Sequence, residues 1–396
     1  MACSSPSDPA TGGSGGTSGS GGIASAGGAA TAGSGGISSG AGGSAGSSMT
    51  GGGAGGSAVT GGAGGAEYMP GTWVNVTANL AGMTTPCGNT YRVWSHPSED
   101  KVVVGLVRVG LYASTDGGTS WAIEGGAASP NHDHNNVRFD PEHAEVYWAA
   151  GMHANPGIFR TTDDGMSFAV LGSVANIDDV SIDFTDPDRK TLLAGAHEQH
   201  VLYKSTDAGA TFTDITASFP AGSAFTNGPL VVDANTLLMG TAFYNSDPSE
   251  GVFRSSDGGG SWTQVSTSAV VGNGLKTSWG TLFYGANAGG NVLRGSADGA
   301  TWTTLPVPGA SGIVIELPGN RIATMVKSGN TPSIAMSADE GATWTTAADN
   351  VPAPSWQNSG AYLSYDAVRG AFFVSFWDCG TTVHPDSLWR YDTKLQ

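Results

Sequence analysis

Apolar and polar positions alternate along most of the chain in short runs, and the runs come in pairs. In "GLYASTDGGTSWAIEG", "VLYKSTDAGATFTDIT" and "GVFRSSDGGGSWTQVS", an alternating segment leads into a small-residue turn and a second segment opens on Trp or Phe. This period-two pattern around a glycine-containing turn predicts a β-hairpin. The turn phrase occurs six times, centred on Asp116, Asp163, Asp207, Asp257, Asp298 and Asp339, at intervals of 47, 44, 50, 41 and 41 residues. A period of that size predicts an array of like supersecondary units. Two more strand-like segments precede the phrase, such as "NVRFDP" and "EVYWAAG" ahead of Asp163, so each unit should hold four strands. Aspartate suits the turn because its carboxylate can accept hydrogen bonds from backbone N–H groups a few residues on. Glycine supplies the positive φ, and the aromatic ring has the area to plug the hairpin against a neighbouring sheet. The phrase is thus a folding device, and it says little about chemistry.

The alternation is missing at the N-terminus. Of 396 residues, those from Thr11 to Ala66 are almost all Gly, Ser, Ala and Thr, and no charged residue stands between Asp8 and Glu67. Such a segment has too little apolar surface to offset the entropy of ordering it. Residues 1–66 are therefore expected to be a disordered tether, and residues 67–396 the folded domain. Formal charge is −17, from 33 acidic and 16 basic residues, with no basic stripe. That excludes nucleic acid as a partner held by phosphate neutralisation. No run of about 18 apolar residues occurs, so no transmembrane helix is expected. The start, "MACSSPSDPATGG", resembles the mature end of a bacterial lipoprotein, a cysteine after a small residue followed by a long tether. That resemblance implies lipidation at Cys3, the only route to a membrane, and an exported, outer-membrane or cell-surface protein. Met1 would then stand where a signal peptide had been removed. The alternative is a secreted protein with an incidental Cys3 in an ordinary disordered end.

The repeated phrase, S/T-x-D-x-G-x-S/T-W/F, closely resembles the Asp-box (bacterial neuraminidase) repeat found in sialidases, xyloglucanase-like glycosidases and sortilin-type receptors. Six in-phase copies over residues 72–396 imply an all-β fold, a single seven-bladed β-propeller. The ends supply the blade count. After the sixth phrase come "AYLSYD", "AFFVSFWD" and "SLWRYD" with no fourth strand, while "TWVNVT" lacks a hairpin partner. Pairing strand 72–77 with strand 387–392 would close the ring and remove its exposed edges. A monomer is expected.

With strands lettered A to D from the centre outward, the aspartate phrase is the C–D turn. Ligand sites in propellers of this type lie on the opposite face, built from D–A and B–C loops, and the resemblance thereby sorts the residues. Five of eight histidines, His132, His134, His153, His197 and His200, fall in loops of blades two and three on that face, with Asp133, Asp178, Asp179 and Glu198 among them. Imidazoles and carboxylates together suit proton transfer near neutral pH, which makes Asp133, His134, Asp179, His197 and Glu198 candidate acid/base residues. The five histidines are also a candidate divalent-metal site, because His-x-His in extended backbone points both rings the same way. The plainer alternative is polar loop residues bonded to backbone. Arg92, Arg108, Tyr244, Trp356 and Trp377 are candidate ligand contacts, although the aromatic rings could equally plug the loops.

Sialidases carry an F/Y-R-I-P phrase whose arginine opens a triad that clamps the substrate carboxylate. "YRVW" (Tyr91–Trp94) matches in place, with Trp94 for the proline. Arg160, Arg254, Arg294 and Arg390 share one register on strand C and belong to the repeat, and Arg189, Arg321 and Arg369 map to the A–B face. The triad is not completed, so sialidase activity is disfavoured. A xyloglucanase-like cleft needs two propellers, and one is expected. Cys87 and Cys379 map to adjacent loops of the mouth face, where a disulfide would rivet the ring in an exported protein. The reading that results is a tethered, exported propeller binding a glycan or other extracellular ligand at its mouth. Its rivals are a glycoside hydrolase or a His-dependent polysaccharide lyase at blades two and three, and a protein-interaction scaffold.

Overall fold

The computed structural model describes residues 68–86, 90–153, 156–221, 225–242, 250–286, 291–307, 309–328, 331–355 and 360–393. They form seven four-stranded antiparallel sheets arranged as a seven-bladed propeller. Blade one runs Thr90–Ser95, Val102–Leu106, Gly110–Ser114 and Ala122–Ile123. Blade two runs Asp133–Phe139, Tyr147–Met152, Ile158–Thr161 and Ala169–Val170; blade three, Ile177–Ile182, Leu192–Ala196, Leu202–Ser205 and Thr213–Asp214. Blades four, five and six follow in the same order, beginning at Phe225, Val270 and Ala310. In blade seven, Gly360–Asp366, Ala371–Trp377 and Leu388–Asp392 are completed by Trp73–Asn75 from the start of the domain. The register there pairs Trp73 with Tyr391, Val74 with Arg390 and Asn75 with Trp389.

Each aspartate turn is a small hydrogen-bonded knot. In blade one, Ser114 Oγ donates to Asp116 Oδ1 (2.7 Å) and accepts from Gly118 N (2.8 Å), while Ser120 N and Oγ donate to the two carboxylate oxygens (3.0 and 2.6 Å). The knots at Asp163, Asp207, Asp257 and Asp339 repeat this pattern. The phrase at Asp298 is one residue shorter, and Thr301 N donates to Ser296 Oγ instead (3.1 Å). The aromatic that follows the turn ties it to the blade before. Buried Trp121 donates from Nε1 to Val76 O (2.8 Å), next to the strand that closes blade seven.

Cations then stitch several blades to the turn of the next. Lys101 Nζ donates to Asp164 O (3.0 Å), Lys204 Nζ to Gly258 O (2.7 Å), Arg254 Nε to Asp298 O (2.7 Å) and Arg390 Nη1 to Gly117 O (2.7 Å). The shared register of Arg254 and Arg390 thus has a structural cause. Arg294 reaches Glu340 in the following turn (3.7 Å), whereas Arg160 lies over the Trp148 ring (5.1 Å).

Strand A lines the propeller axis, and in six of the seven blades its pairing with strand B is broken by a bulge near the mouth end. A bulge sets two residues against one and re-aims side chains. In blades one, two and three, Val93, Val137 and Val180 pair with Val104, Ala149 and Ala194. Arg92, Asn136 and Asp179 therefore occupy the same step on successive blades.

Candidate functional site

The bulge divides neighbouring residues between two environments. Asn135 and Asp178 turn toward the mouth loops, whereas Asn136 and Asp179 form the equivalent pair beside the axis. Asn135 Nδ2 donates to Asp178 Oδ1 (3.0 Å), and Asn136 Nδ2 donates to Asp179 Oδ1.

On the mouth side, two carboxylate–imidazole pairs face one another. His153 Nδ1 lies 2.7 Å from Asp133 Oδ2, and His197 Nδ1 lies 2.9 Å from Asp178 Oδ1. The two rings stand nearly perpendicular, with centroids 5.0 Å apart. Arg108 Nε donates to Asp133 Oδ1 (3.0 Å), and Glu198 Oε1 lies 3.8 Å from His197 Nε2. Asn176 binds both histidine loops: its Oδ1 accepts from His153 N (2.8 Å) and its Nδ2 donates to His197 O (3.3 Å). Arg108, His153 and Glu198 each lie just past the end of a strand B, and Asn176 just before a strand A. All four have positive φ, at 54°, 57°, 50° and 56°. Non-glycine residues adopt that conformation at a cost, which the surrounding bonds must offset.

A histidine whose Nδ1 is held by a carboxylate presents Nε2 as the atom that gives or takes a proton. Burial pushes the His197 imidazole toward lower pKa, but the bond to Asp178 and the Asp178 charge outweigh it, and the net shift is upward. Chemically, the patch can hold hydroxyls in defined directions, and it sets the buried, unpartnered His197 Nε2 beside the His153 ring.

Several expected members lie elsewhere. His132 and His134 are fully buried between blades, with ring centroids 4.4 Å apart and no hydrogen-bond partner of good geometry on any ring nitrogen. They fit because a glycine faces each one. A Cβ on Gly151 would come within 2.0 Å of His132 Nδ1, and one on Gly105 within 2.7 Å of His134 Cβ. Burial lowers both pKa values, that of His132 to about 3, which keeps both rings neutral. His134 is therefore corrected from an acid/base candidate to a packing residue. His200 packs its ring against Phe219, with centroids 5.6 Å apart. The five histidines thus separate into three groups, and among the described residues no three His, Cys, Asp or Glu side chains gather as a metal-ligand set.

Asp179 is buried at the axis, where Arg138 Nη2 donates to its Oδ2 (3.0 Å). Burial raises its pKa to about 6 against the pull of Arg138 and Arg92. Trp377 is no exposed sugar platform. It is 9% exposed and packs at 5.2 Å on Tyr91, in an apolar floor with Val107 and Met152. Arg92 lies under that floor, stacked on Tyr362. Cys3, Cys87, Tyr244 and Trp356 lie outside the described residues. Sequence reasoning missed Asn135, Asn176 and the pairing role of His153; asparagines flanking His/Asp clusters were the available signal.

No family model matches the chain. Its sequence is 29% identical over 181 residues to a xyloglucanase of Hypocrea jecorina, a stretch covering 42% of this chain and 19% of that protein. The chain thus spans about a fifth of the length of that curated relative. In structure it is similar to the GH74 xyloglucanase from Xanthomonas campestris, with a TM-score of 0.54 and 19% identity over 81% of this chain and 55% of the other. It is also similar to virginiamycin B lyase from Staphylococcus aureus, in a catalytically inactive histidine-to-alanine form with quinupristin. There the TM-score is 0.54 at 12% identity, over 81% of this chain and 97% of the other. At these identities the likenesses establish the fold, and the chain is a seven-bladed β-propeller.

Proposed function

We propose that this propeller works outside the cell and binds a glycan at the mouth patch of blades one to three. The observation that carries this reading is the Arg108–Asp133–His153 and His197–Asp178–Asn135 constellation. Its donors and acceptors are held in place by one another before any ligand arrives, as a site for a polyhydroxylated molecule requires. The sequence likeness to a xyloglucanase supports a glycan as the ligand class. The Gly/Ser-rich N-terminal segment supports display on a tether, with Cys3 as its lipid anchor. Among the described residues no helix is long and apolar enough to cross a membrane.

A second reading is favoured by one specific feature, the two Nδ1-anchored imidazoles. His197 and His153 would then serve as an acid/base couple in glycan cleavage, one accepting a proton as the other donates. Calorimetry against a polysaccharide panel that includes xyloglucan, run beside assays for reducing ends and for unsaturated products, tests both readings. Binding should weaken in His153→Ala and in His197→Ala while the melting temperature stays close to wild type. Turnover lost in the same variants would select the enzyme. Absence of binding to every polysaccharide, or unchanged affinity in both variants, rejects the mouth as the site.

A further inference from the structure

Below the apolar floor, the propeller axis holds a separate cavity of about 210 Å³. Arg92 and Asn136, at the bulge step, and Tyr362 bound its upper end. Its lining continues down the A strands to Ser95, Phe139 and Glu316, away from the mouth. Tyr91, Met152 and Trp377 cluster against Tyr362 at that end, and the lining shares no residue with the His153/His197 patch, so the two are distinct.

The cavity has a charge problem. Arg92 is 9% exposed, yet among the described residues its guanidinium has no ion-pair partner, and its Nε is buried without a hydrogen-bond partner. What it has instead is the Tyr362 face at 4.4 Å and the Tyr91 ring at 5.7 Å. A guanidinium cannot shed its proton to escape burial, and an aromatic face replaces only part of its lost hydration. Arg138, from the next blade, spends one Nη2 on Asp179 and on Gly274 O of blade five (3.3 Å), and its Nε is also unpartnered. The carboxylate at the lower rim, Glu316, is taken up by Ser278 N (2.9 Å) and Ser278 Oγ (2.5 Å). Two guanidinium groups thus border one small space, and of the two only Arg138 is paired with a buried carboxylate, Asp179. Arginine's planar fork is matched by an oxyanion, which accepts two parallel N–H bonds.

We propose that the axial cavity is a binding site for a small oxyanion, held by Arg92 and Arg138 with Asn136 beside them, independent of the mouth patch. Carboxylate and phosphate share the required chemistry, and the experiment separates them. Full-length protein is titrated at constant ionic strength with acetate, with inorganic phosphate and, as the uncharged isostere, with acetamide, followed by melting temperature and calorimetry. One anion should give a saturable rise in melting temperature with stoichiometry near one, and acetamide none. Arg92→Gln should abolish the response, Arg92→Lys should weaken it by keeping the charge but losing the fork, and His153→Ala should leave it intact. The last variant keeps this result separate from the fate of the glycan reading. If neither anion binds saturably, or if Arg92→Gln binds as wild type does, the proposal is overturned. Should Arg92→Gln fail to fold, the Arg92→Lys titration decides alone: affinity equal to wild type would reject a bidentate site.

Discussion

His197 and His132 carry the same imidazole on neighbouring blades, and their surroundings send them in opposite directions. His197 is part-buried with a carboxylate on Nδ1; His132 is sealed against Phe159 with no hydrogen-bond partner on either ring nitrogen. Proton-coupled NMR of the imidazoles should therefore show His197 titrating above 6.5, and His132 and His134 remaining neutral through the range of a folded protein. Because the folded-state pKa of His197 is raised, its contribution to stability is present below 6.5 and is lost as pH rises through the folded value. Asp178→Asn should bring the His197 midpoint down, and a midpoint that stays put would show that the pair is not electrostatic. Which histidines would be useful was only half legible in the chain. The count and loop positions single out five histidines without separating His153 and His197 from the rest. The His-x-His spacing implies two rings pointing the same way toward a metal, where the rings of His132 and His134 lie 4.4 Å apart. What it could not show was that Gly105 and Gly151 leave room for those rings to turn inward. Likewise, Asp178 and Asp179 look equivalent until a bulge sends one to the mouth and its neighbour to the axis.

At the scale of the element, the aspartate turn was the most legible feature, because everything it needs lies within seven residues. Hydroxyl, carboxylate and glycine recur at fixed offsets, and the bonds they make are local. Those bonds also give the turns a common acid response. Hydrogen bonds from Ser167 hold the Asp163 carboxyl below its ordinary 3.8, and those from Thr343 bring Asp339 to about 2. Asp207, Asp257 and Asp298 shift the same way; at Asp116 burial opposes the shift, and the bonds from Ser120 and Ser114 outweigh it. A carboxyl depressed on folding stabilises above its unfolded pKa, and the contribution is lost as pH falls through the folded value. Melting temperature should accordingly decline from about pH 4 downward, and steeply, because six turns act together. Replacing Asp116, Asp163 and Asp207 by Asn should flatten that decline while lowering stability at neutral pH. An unchanged acid slope in the triple variant would remove the turns as its source. The bulges of strand A left no comparable mark in the chain, since each depends on a partner strand rather than on its own residues.

A ring has a property that none of its blades possesses: it must be closed, and the closure joins the two ends of the domain. Two clasps meet at the seam. Thr84 bridges Thr382, and Thr85 N donates to Thr381 O (3.0 Å). Cys379 lies three residues before Thr382, and the proposed Cys87–Cys379 disulfide would reinforce this clasp. Peptide mapping under non-reducing conditions should recover the cross-linked pair, and reduction should lower the unfolding midpoint, because the bond closes a loop of nearly the whole domain. Two freely alkylated thiols after oxidative refolding would dispose of it. The other clasp is the strand Trp73–Asn75, and it carries more than its three residues suggest. Around it, Gly71 N donates to Asp392 O (2.9 Å), Met69 N to Asp392 Oδ2 (2.7 Å), and Trp73 Nε1 to Asp349 O (2.8 Å) of the neighbouring blade. Val76 and Leu80, both buried, join Trp121 and Phe373 in the core between blades seven and one. Removing residues 68–78 would strip these bonds, leave Leu388–Asp392 as an open edge, and cut Val76 out of that core. An open edge is a template for pairing with other chains, so the expected product is insoluble or lacks a cooperative melt. Deleting residues 4–66 removes only Gly/Ser-rich chain with little to bury, and the melting temperature should stay within experimental error. The contrast between the two deletions is the test. Equal melts would mean that the ring holds without its closing strand, and that the blades are stable as an open array.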